Sequence, residues 1–277
     1  MIDPNNILIS YSQALYSQWF FHKPTHCLFD AGEGVATIMG KKVFGIQNIF
    51  LSHGHEDHIA GISNLVNIRN IVSGEVEKGF TIYYPRNDKW INELFAYIEK
   101  KQSGLIRYPL YVQPLEPGDI VEIETTKRPT RVVAVEVQHS CNQLCLGYEI
   151  QEERRILNQY TGESMHKYHP IFFYTGDTYK VNHLPDGRVD IAIYESTFLA
   201  QDSGKAVAIE TSRHSTVDQA VGWAASADAK NLILCHISDR YAIEEVKQAA
   251  RNAKAKSRFR GRVYIAHREL IVPVDDV

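Results

Sequence analysis

Three histidines and two carboxylates fall within six consecutive residues, His53-Gly54-His55-Glu56-Asp57-His58, directly after the apolar run Asn48-Ile49-Phe50-Leu51-Ser52. Imidazole and carboxylate with no thiolate beside them form a donor set that suits zinc, with manganese or iron as the other ions it accepts. In an extended segment residues i and i+2 point the same way, so His53 and His55 can grip one ion. Asp57 and His58, at the turn into a helix, then reach a second. The spacing predicts a centre for two metals. Further ligands are available at strand ends: His139 follows VVAVEVQ, Asp177 follows IFFYTG and His236 follows NLILC. Taken singly, each of these is an ordinary turn residue; taken with the cluster, all can converge on one edge.

The elements that must bring them together are written in the apolar periodicity. Residues 7 to 30 read as a hairpin and return strand, ILIS, YSQWFF and CLFD, with a turn at HKPT. NIFLS follows, then a helix from about Asp57 with Ile59, Ile62, Leu65 and Val66 on one face. FTIYY leads to a helix at 88 to 101. The second half supplies strands RVVAVEVQ, LCLGYEIQ, IFFYTG, VDIAIYE and NLILC, and helices at 216 to 229, where Ser215 and Asp218 fit a capping box, and at 242 to 255. Strands interleaved with helices predict an α/β fold: two facing β-sheets with outer helices, in one domain spanning residues 1–277.

Composition sets the outer bounds. The chain has 277 residues, 44% of them hydrophobic, and a formal net charge of −3. Its 17 glycines and 10 prolines follow no period, which excludes collagen-like and low-complexity chains. No run of about 18 apolar residues and no secretory leader is present, so a cytoplasmic protein without a membrane partner is expected. Cys27, Cys141, Cys145 and Cys235 form no CxxC pair and read as reduced thiols. A weakly acidic chain gives no global pull on a polyanion, so a nucleic-acid partner needs a metal centre or a local basic face. Arg251, Lys254, Lys256, Arg258, Arg260 and Arg262, in a stretch with no acid, are one candidate face.

HxHxDH, a lone histidine, an aspartate in TGDT and a final histidine resemble the pattern of the metallo-β-lactamase fold across essentially the whole chain. Within that superfamily, FDAGEG (29 to 34), GYEI after His139, TGDT (175 to 178), EST (195 to 197), HST (214 to 216) and HISDRY (236 to 241) resemble the motifs of the ribonuclease Z group. The first motif is generic; HST and HISDRY are more specific. The resemblance implies an αββα sandwich. It places His53, His55 and His139 on one zinc and Asp57, His58 and His236 on the other, with Asp177 bridging and Asp30 orienting a ligand histidine. It further implies hydrolysis of a phosphodiester by a metal-activated water that Asp57 orients or deprotonates, with His214, held by Glu195, as the acid for the leaving oxygen.

The expected substrate is RNA, at precursor tRNA 3′ ends, by a chain that could work as a homodimer. The alternative is a small substrate at the same site: a cyclic nucleotide, another phosphodiester, or a lactone or thioester. Three departures from the family's pattern bear on that choice. Tyr194 replaces the group's histidine before Glu195, and the first motif has the HGHEDH wording associated with the β-CASP ribonucleases. The short interval between His139 and Asp177 leaves little room for a long RNA-gripping arm. Arg154, Arg155, Tyr160, Gly162, Lys167 and Tyr168 could form a small hairpin there.

Overall fold

Residues 3–72, 79–102, 104–124, 127–140, 142–157, 164–208 and 212–275 are described in the computed structural model, where the apolar runs assemble into two sheets. The first is built in chain order from β1 (Leu8–Gln13), β2 (Ser17–His22), β3 (Cys27–Phe29), β4 (Asn48–Phe50), β5 (Phe80–Pro85) and β6 (Leu110–Leu115). Pairing is antiparallel from β1 to β3 and parallel from β3 to β6. The second contains β7 (Ile120–Ile123), β8 (Thr130–Val137), β9 (Cys145–Leu157), β10 (Ser164–Tyr174), β11 (Ile191–Glu195), β12 (Asn231–Cys235), β13 (Arg262–His267) and β14 (Leu270–Pro273), also side by side in chain order. Its centre, β10 to β13, is parallel.

Alternation along each strand sorts the side chains into layers. Phe20, Phe29 and Phe50 of the first sheet pack against Tyr148, Phe172, Tyr174 and Ile193 of the second. Their neighbours in sequence, Trp19, Phe21, Leu28, Ile49 and Leu51, face outward onto helix residues such as Ile62, Leu65, Val66, Ile91 and Ile98. On the other side Ala192, Tyr194, Leu232 and Leu234 meet Val217, Val221, Trp223, Val246 and Ala250. Strands buried on both faces explain why the central segments read as unbroken apolar runs. The order of layers is helix, sheet, sheet, helix, the αββα sandwich expected.

Local details depart from the sequence reading for identifiable reasons. The single helix expected from Asp57 is two, Glu56–Ile59 and Ile62–Val72, because Gly61 N–H is diverted to Ala31 O at 2.8 Å. The capping box of helix Val217–Ser226 sits one residue later than Ser215: Thr216 Oγ1 accepts from Gln219 N at 3.3 Å and Gln219 Oε1 from Thr216 N at 2.8 Å. Ser215 is otherwise engaged, donating from Oγ to Thr178 O at 2.6 Å. Cys27, Cys145 and Cys235 are buried free thiols; Cys141 lies outside the described residues. No helix among the described residues is long and apolar enough to cross a membrane.

His22, at the end of β2, is buried against the Phe172 ring with Nδ1 2.8 Å from Thr25 Oγ1, and burial lowers its pKa to about 3. Between the unfolded value near 6.5 and 3 the unfolded chain binds a proton that the folded chain refuses, so stability falls as pH falls through that window. His22→Phe, which keeps a ring and deletes the titration, should flatten the pH dependence of unfolding free energy between pH 6 and 4 by up to about 1.4 kcal/mol per pH unit. An unchanged slope in urea titrations would refute the assignment.

Candidate metal centre

The parallel strands end on one edge, and the residues at and just beyond those ends carry the chemistry. Asp30 follows β3; His53 and His55 follow β4, with Asp57 and His58 on the short helix beyond; His139 follows β8, Asp177 β10 and His236 β12, while Glu195 closes β11. His53, His55, His139 and Asp177 bring their donor atoms together within 4.8 Å, and so do Asp57, His58 and His236. A third overlapping set joins Asp177, His214 and His236.

Hydrogen bonds fix which imidazole nitrogen each ring presents. His58 Nδ1–H donates to Asp30 Oδ2 at 2.7 Å. His53 Nδ1–H donates to Ser52 Oγ at 2.9 Å, and Ser52 Oγ donates in turn to Asp30 Oδ2 at 2.8 Å. His139 Nδ1–H donates to Arg213 O at 2.6 Å and His236 Nδ1–H to Thr197 Oγ1 at 2.9 Å. All four rings therefore turn Nε2 inward. His55 is the exception, with its Nδ1 3.0 Å from His53 Nε2 and 3.4 Å from His139 Nε2. Donors around a tetrahedral zinc at 2.0–2.1 Å are about 3.3 Å apart, so these three nitrogens have the spacing of ligands about a shared ion.

Asp177 joins the two groups. Its Oδ1 is 3.3 Å from His58 Nε2 and its Oδ2 3.4 Å from His236 Nε2. Gly176 permits this approach: its φ of +58° is left-handed, and a methyl there would overlap Ser52. His236 Nε2 lies 3.1 Å from Asp57 Oδ2, which also accepts the Leu15 N–H at 3.2 Å. His58 Nε2 and Asp177 Oδ1 are buried and make no hydrogen bond, the arrangement expected of donors held for a cation. The residues fit a pair of metal ions.

Electrostatics give the same picture. Burial lowers the His139 pKa to about 3 and, with His58 close by, holds that of His53 well below 6.5, so both rings are neutral donors. Burial also opposes charge on His58, but Asp177, Asp57 and Asp30 outweigh it and hold the ring well above 6.5. Three carboxylates around one imidazole are a concentration of negative charge that dications would neutralise.

Beside the donors, Glu195 is fully buried and held by Ser215 N at 2.6 Å and Thr197 N at 2.9 Å, and the Thr197 hydroxyl donates to it as well. Its Oε1 is 3.3 Å from His214 Nδ1. Burial works against a charged His214, but Glu195 and, further off, Asp177 and Asp57 raise its pKa to about 9. His214 Nε2 meets Ser212 Oγ at 3.2 Å, and its ring stacks on His236.

The structure also separates residues that the sequence had grouped. Tyr194 is not beside the site: alternation along β11 turns it away from Glu195, into the outer layer against Trp223. The candidate arm is the outer half of the β9–β10 hairpin, with Leu157 opposite Ser164; Tyr160 and Gly162 lie outside the described residues. Because β10 runs toward Asp177, that half begins about 30 Å of strand away from the centre. Two of its basic residues are paired, Arg154 with Glu152 and Asp190, Lys167 with Asp186. The basic stretch also sits at the far end, since helix Ile243–Ser257 leads back from the His236 side to the start of β13. There Lys254 and Arg251 pair with Asp275, while Lys256 extends to Asp218, in the first turn of the helix that follows His214.

Sequence reasoning missed Ser52, Thr197, Tyr174 and Leu15. Ser52 and Thr197 lay inside the runs NIFLS and EST, but nothing marked them as links between a carboxylate and a ligand ring. Tyr174, whose hydroxyl donates to Asp30 at 2.5 Å, read only as strand apolarity. Leu15 acts through its backbone, which carries no sequence signal.

Comparison with known proteins agrees with this geometry. The family described as Beta-lactamase superfamily domain matches residues 25–237. Ribonuclease Z of Bacillus velezensis is 29% identical over 275 residues, 82% of this chain and 83% of the relative. Ribonuclease Z of Halobacterium salinarum is 28% identical over 279 residues, 87% of this chain and 85% of the relative. Among solved structures, the short form of human tRNase Z matches with a TM-score of 0.67 at 20% identity, covering 97% of this chain and 99% of that one. The metallo-beta-lactamase fold protein YhfI of Bacillus subtilis matches with 0.66 at 19%, covering 95% and 98%. The strand-end donors and the family match together make the chain a metal-dependent hydrolase that belongs to the metallo-β-lactamase superfamily and is similar to its ribonuclease Z members.

Proposed function

We propose that this chain is a dinuclear zinc phosphodiesterase that cuts RNA at precursor tRNA 3′ ends, with residues 1–277 as one catalytic domain. The observation that carries the reading is the two donor groups with Asp177 of the first reaching His58 and His236 of the second, and the Glu195–His214 pair alongside. His53, His55 and His139 would hold one zinc, Asp57, His58 and His236 the other, with Asp177 common to both. When bound, such ions supply Lewis acidity, lowering the pKa of a shared water toward 7 and offsetting charge on the phosphoryl oxygens. Asp57, 13% exposed and therefore open to the cleft, orients the attacking water and receives its proton. Glu195 holds Nδ1–H of the His214 imidazolium, and Nε2–H, which meets Ser212 Oγ before substrate binds, is the proton that passes to the departing ribose oxygen. The ribonuclease Z relatives support RNA as substrate.

One observation favours a second reading. The hairpin and the basic stretch both lie at the far end of the sheets from the donors, which suits a small substrate such as a cyclic nucleotide, another phosphodiester, a lactone or a thioester. Purified, metal-replete protein should carry close to two zinc equivalents by elemental analysis, and should release the 3′ trailer of a precursor tRNA. Turnover of cyclic nucleotide or bis-p-nitrophenyl phosphate with intact precursor tRNA would move the assignment to the second reading. A metal content near zero would refute both.

A further inference from the structure

Asp88 lies outside the donor set, yet its side chain is buried at the start of helix Lys89–Gln102, against the loop that carries His53 and His55. Its Oδ1 accepts Ile91 N–H at 3.1 Å, the bond of a helix cap. The backbone of Gly54 packs directly against the same carboxylate, and its Oδ2 accepts the side-chain amide of Gln143. Gly54 is the residue between the two ligand histidines. A methyl group at that position would overlap the Asp88 carboxylate and come within 2.9 Å of Trp90 Cβ, so the loop lies directly on it. Gln143 belongs to the segment that leads from His139 to β9.

One buried carboxylate thus ties together both segments that supply His53, His55 and His139. The other group does not touch Asp88: Thr197 supports His236, and Asp30 supports His58 directly while reaching His53 only through Ser52. We propose that Asp88 is a positioning residue for one metal only, setting the spacing of the His53, His55 and His139 nitrogens by clamping Gly54 and Gln143. The proposal rests on the two-ion reading above. Outer partners of metal ligands typically contribute 10–100-fold in affinity, and that is the size of effect expected here.

The test must separate this role from helix capping. Asp88→Ser keeps a capping oxygen for the Ile91 N–H but is too short to hold Gln143 as well. Asp88→Asn keeps the shape that packs against Gly54 and the capping oxygen for Ile91 N–H, and can donate to Gln143 once that amide turns over. Zinc affinities are measured by competition with a chromophoric chelator, together with the cobalt absorption spectrum and the melting temperature of metal-free protein. In Asp88→Ser, one of the two binding steps should weaken 10–100-fold with an altered cobalt spectrum, the other step and the metal-free melting temperature staying as in wild type. Asp88→Asn should restore the weakened step to within a few fold. Gly54→Ala, which pushes the same contact apart, should reproduce the loss. Two wild-type affinities in Asp88→Ser, or equal weakening of both steps, would overturn the proposal. Wild-type protein that binds no zinc would instead overturn the two-ion reading, and this inference with it.

Discussion

Asp177→Asn should leave a folded protein that has lost at least one metal equivalent and whose phosphodiester hydrolysis is down by about 10³-fold or more. The carboxylate is 2% exposed, with one oxygen 3.3 Å from His58 Nε2 and the other 3.4 Å from His236 Nε2. Neighbouring histidines, His236 and His58 first, overcome the cost of burial and hold its pKa well below the usual carboxylate range, so it is ionised throughout the working range. Asparagine has nearly the same shape but lacks the charge, and it can offer a cation only one oxygen. Losing a ligand common to both groups should therefore exceed the 10–100-fold that an outer partner contributes. The apolar layers are untouched, so far-ultraviolet circular dichroism should match wild type. Elemental analysis with a rate assay decides: two equivalents and a wild-type rate would remove Asp177 from the centre.

His214→Ala is expected to keep both metals and to lose activity selectively. The ring is held through Nδ1 by Glu195 at 3.3 Å, and its pKa near 9 makes it a proton carrier at neutral pH. A general acid typically contributes 10²–10⁴-fold, about 3–5 kcal/mol of barrier, when the leaving group is a poor one such as a ribose oxygen. An aryl phosphodiester, whose leaving oxygen hardly needs protonation, should slow by less than about tenfold. Comparing an RNA substrate with bis-p-nitrophenyl phosphate therefore reads the role directly. Equal losses on both substrates with full metal content would mean that His214 positions substrate. Because His214 also shares a donor set with Asp177 and His236, a lost metal would make it a ligand instead.

Much of the centre is legible in the sequence because its signals are local. Six adjacent residues carry four of the seven donors, and i, i+2 spacing on an extended chain already points His53 and His55 the same way. The remaining donors follow apolar runs, and the layered architecture follows from strands whose apolar residues leave no polar face. Asp30, Glu195 and His214 were reachable only through the resemblance of FDAGEG, EST and HST to known motifs. The sequence also suggested relations that the fold does not keep. Tyr194 adjoins Glu195 in the chain, but strand alternation puts it against Trp223 in another layer.

The chemistry of the donors and the order of the elements that carry them were determined by the sequence alone. The tertiary structure decided which nitrogen each imidazole presents, that Asp30 serves His58 directly and His53 through Ser52, and that Asp88 joins Gly54 to Gln143. It also decided that the hairpin and the basic stretch lie far from the donors. The reason is physical: hydrophobic periodicity fixes the face a residue occupies along its own element, but a hydrogen-bond partner from a distant part of the chain exists only once sheet order and register are set. Asp30 meets Tyr174, and Asp88 meets Gln143, across separations that no local pattern encodes.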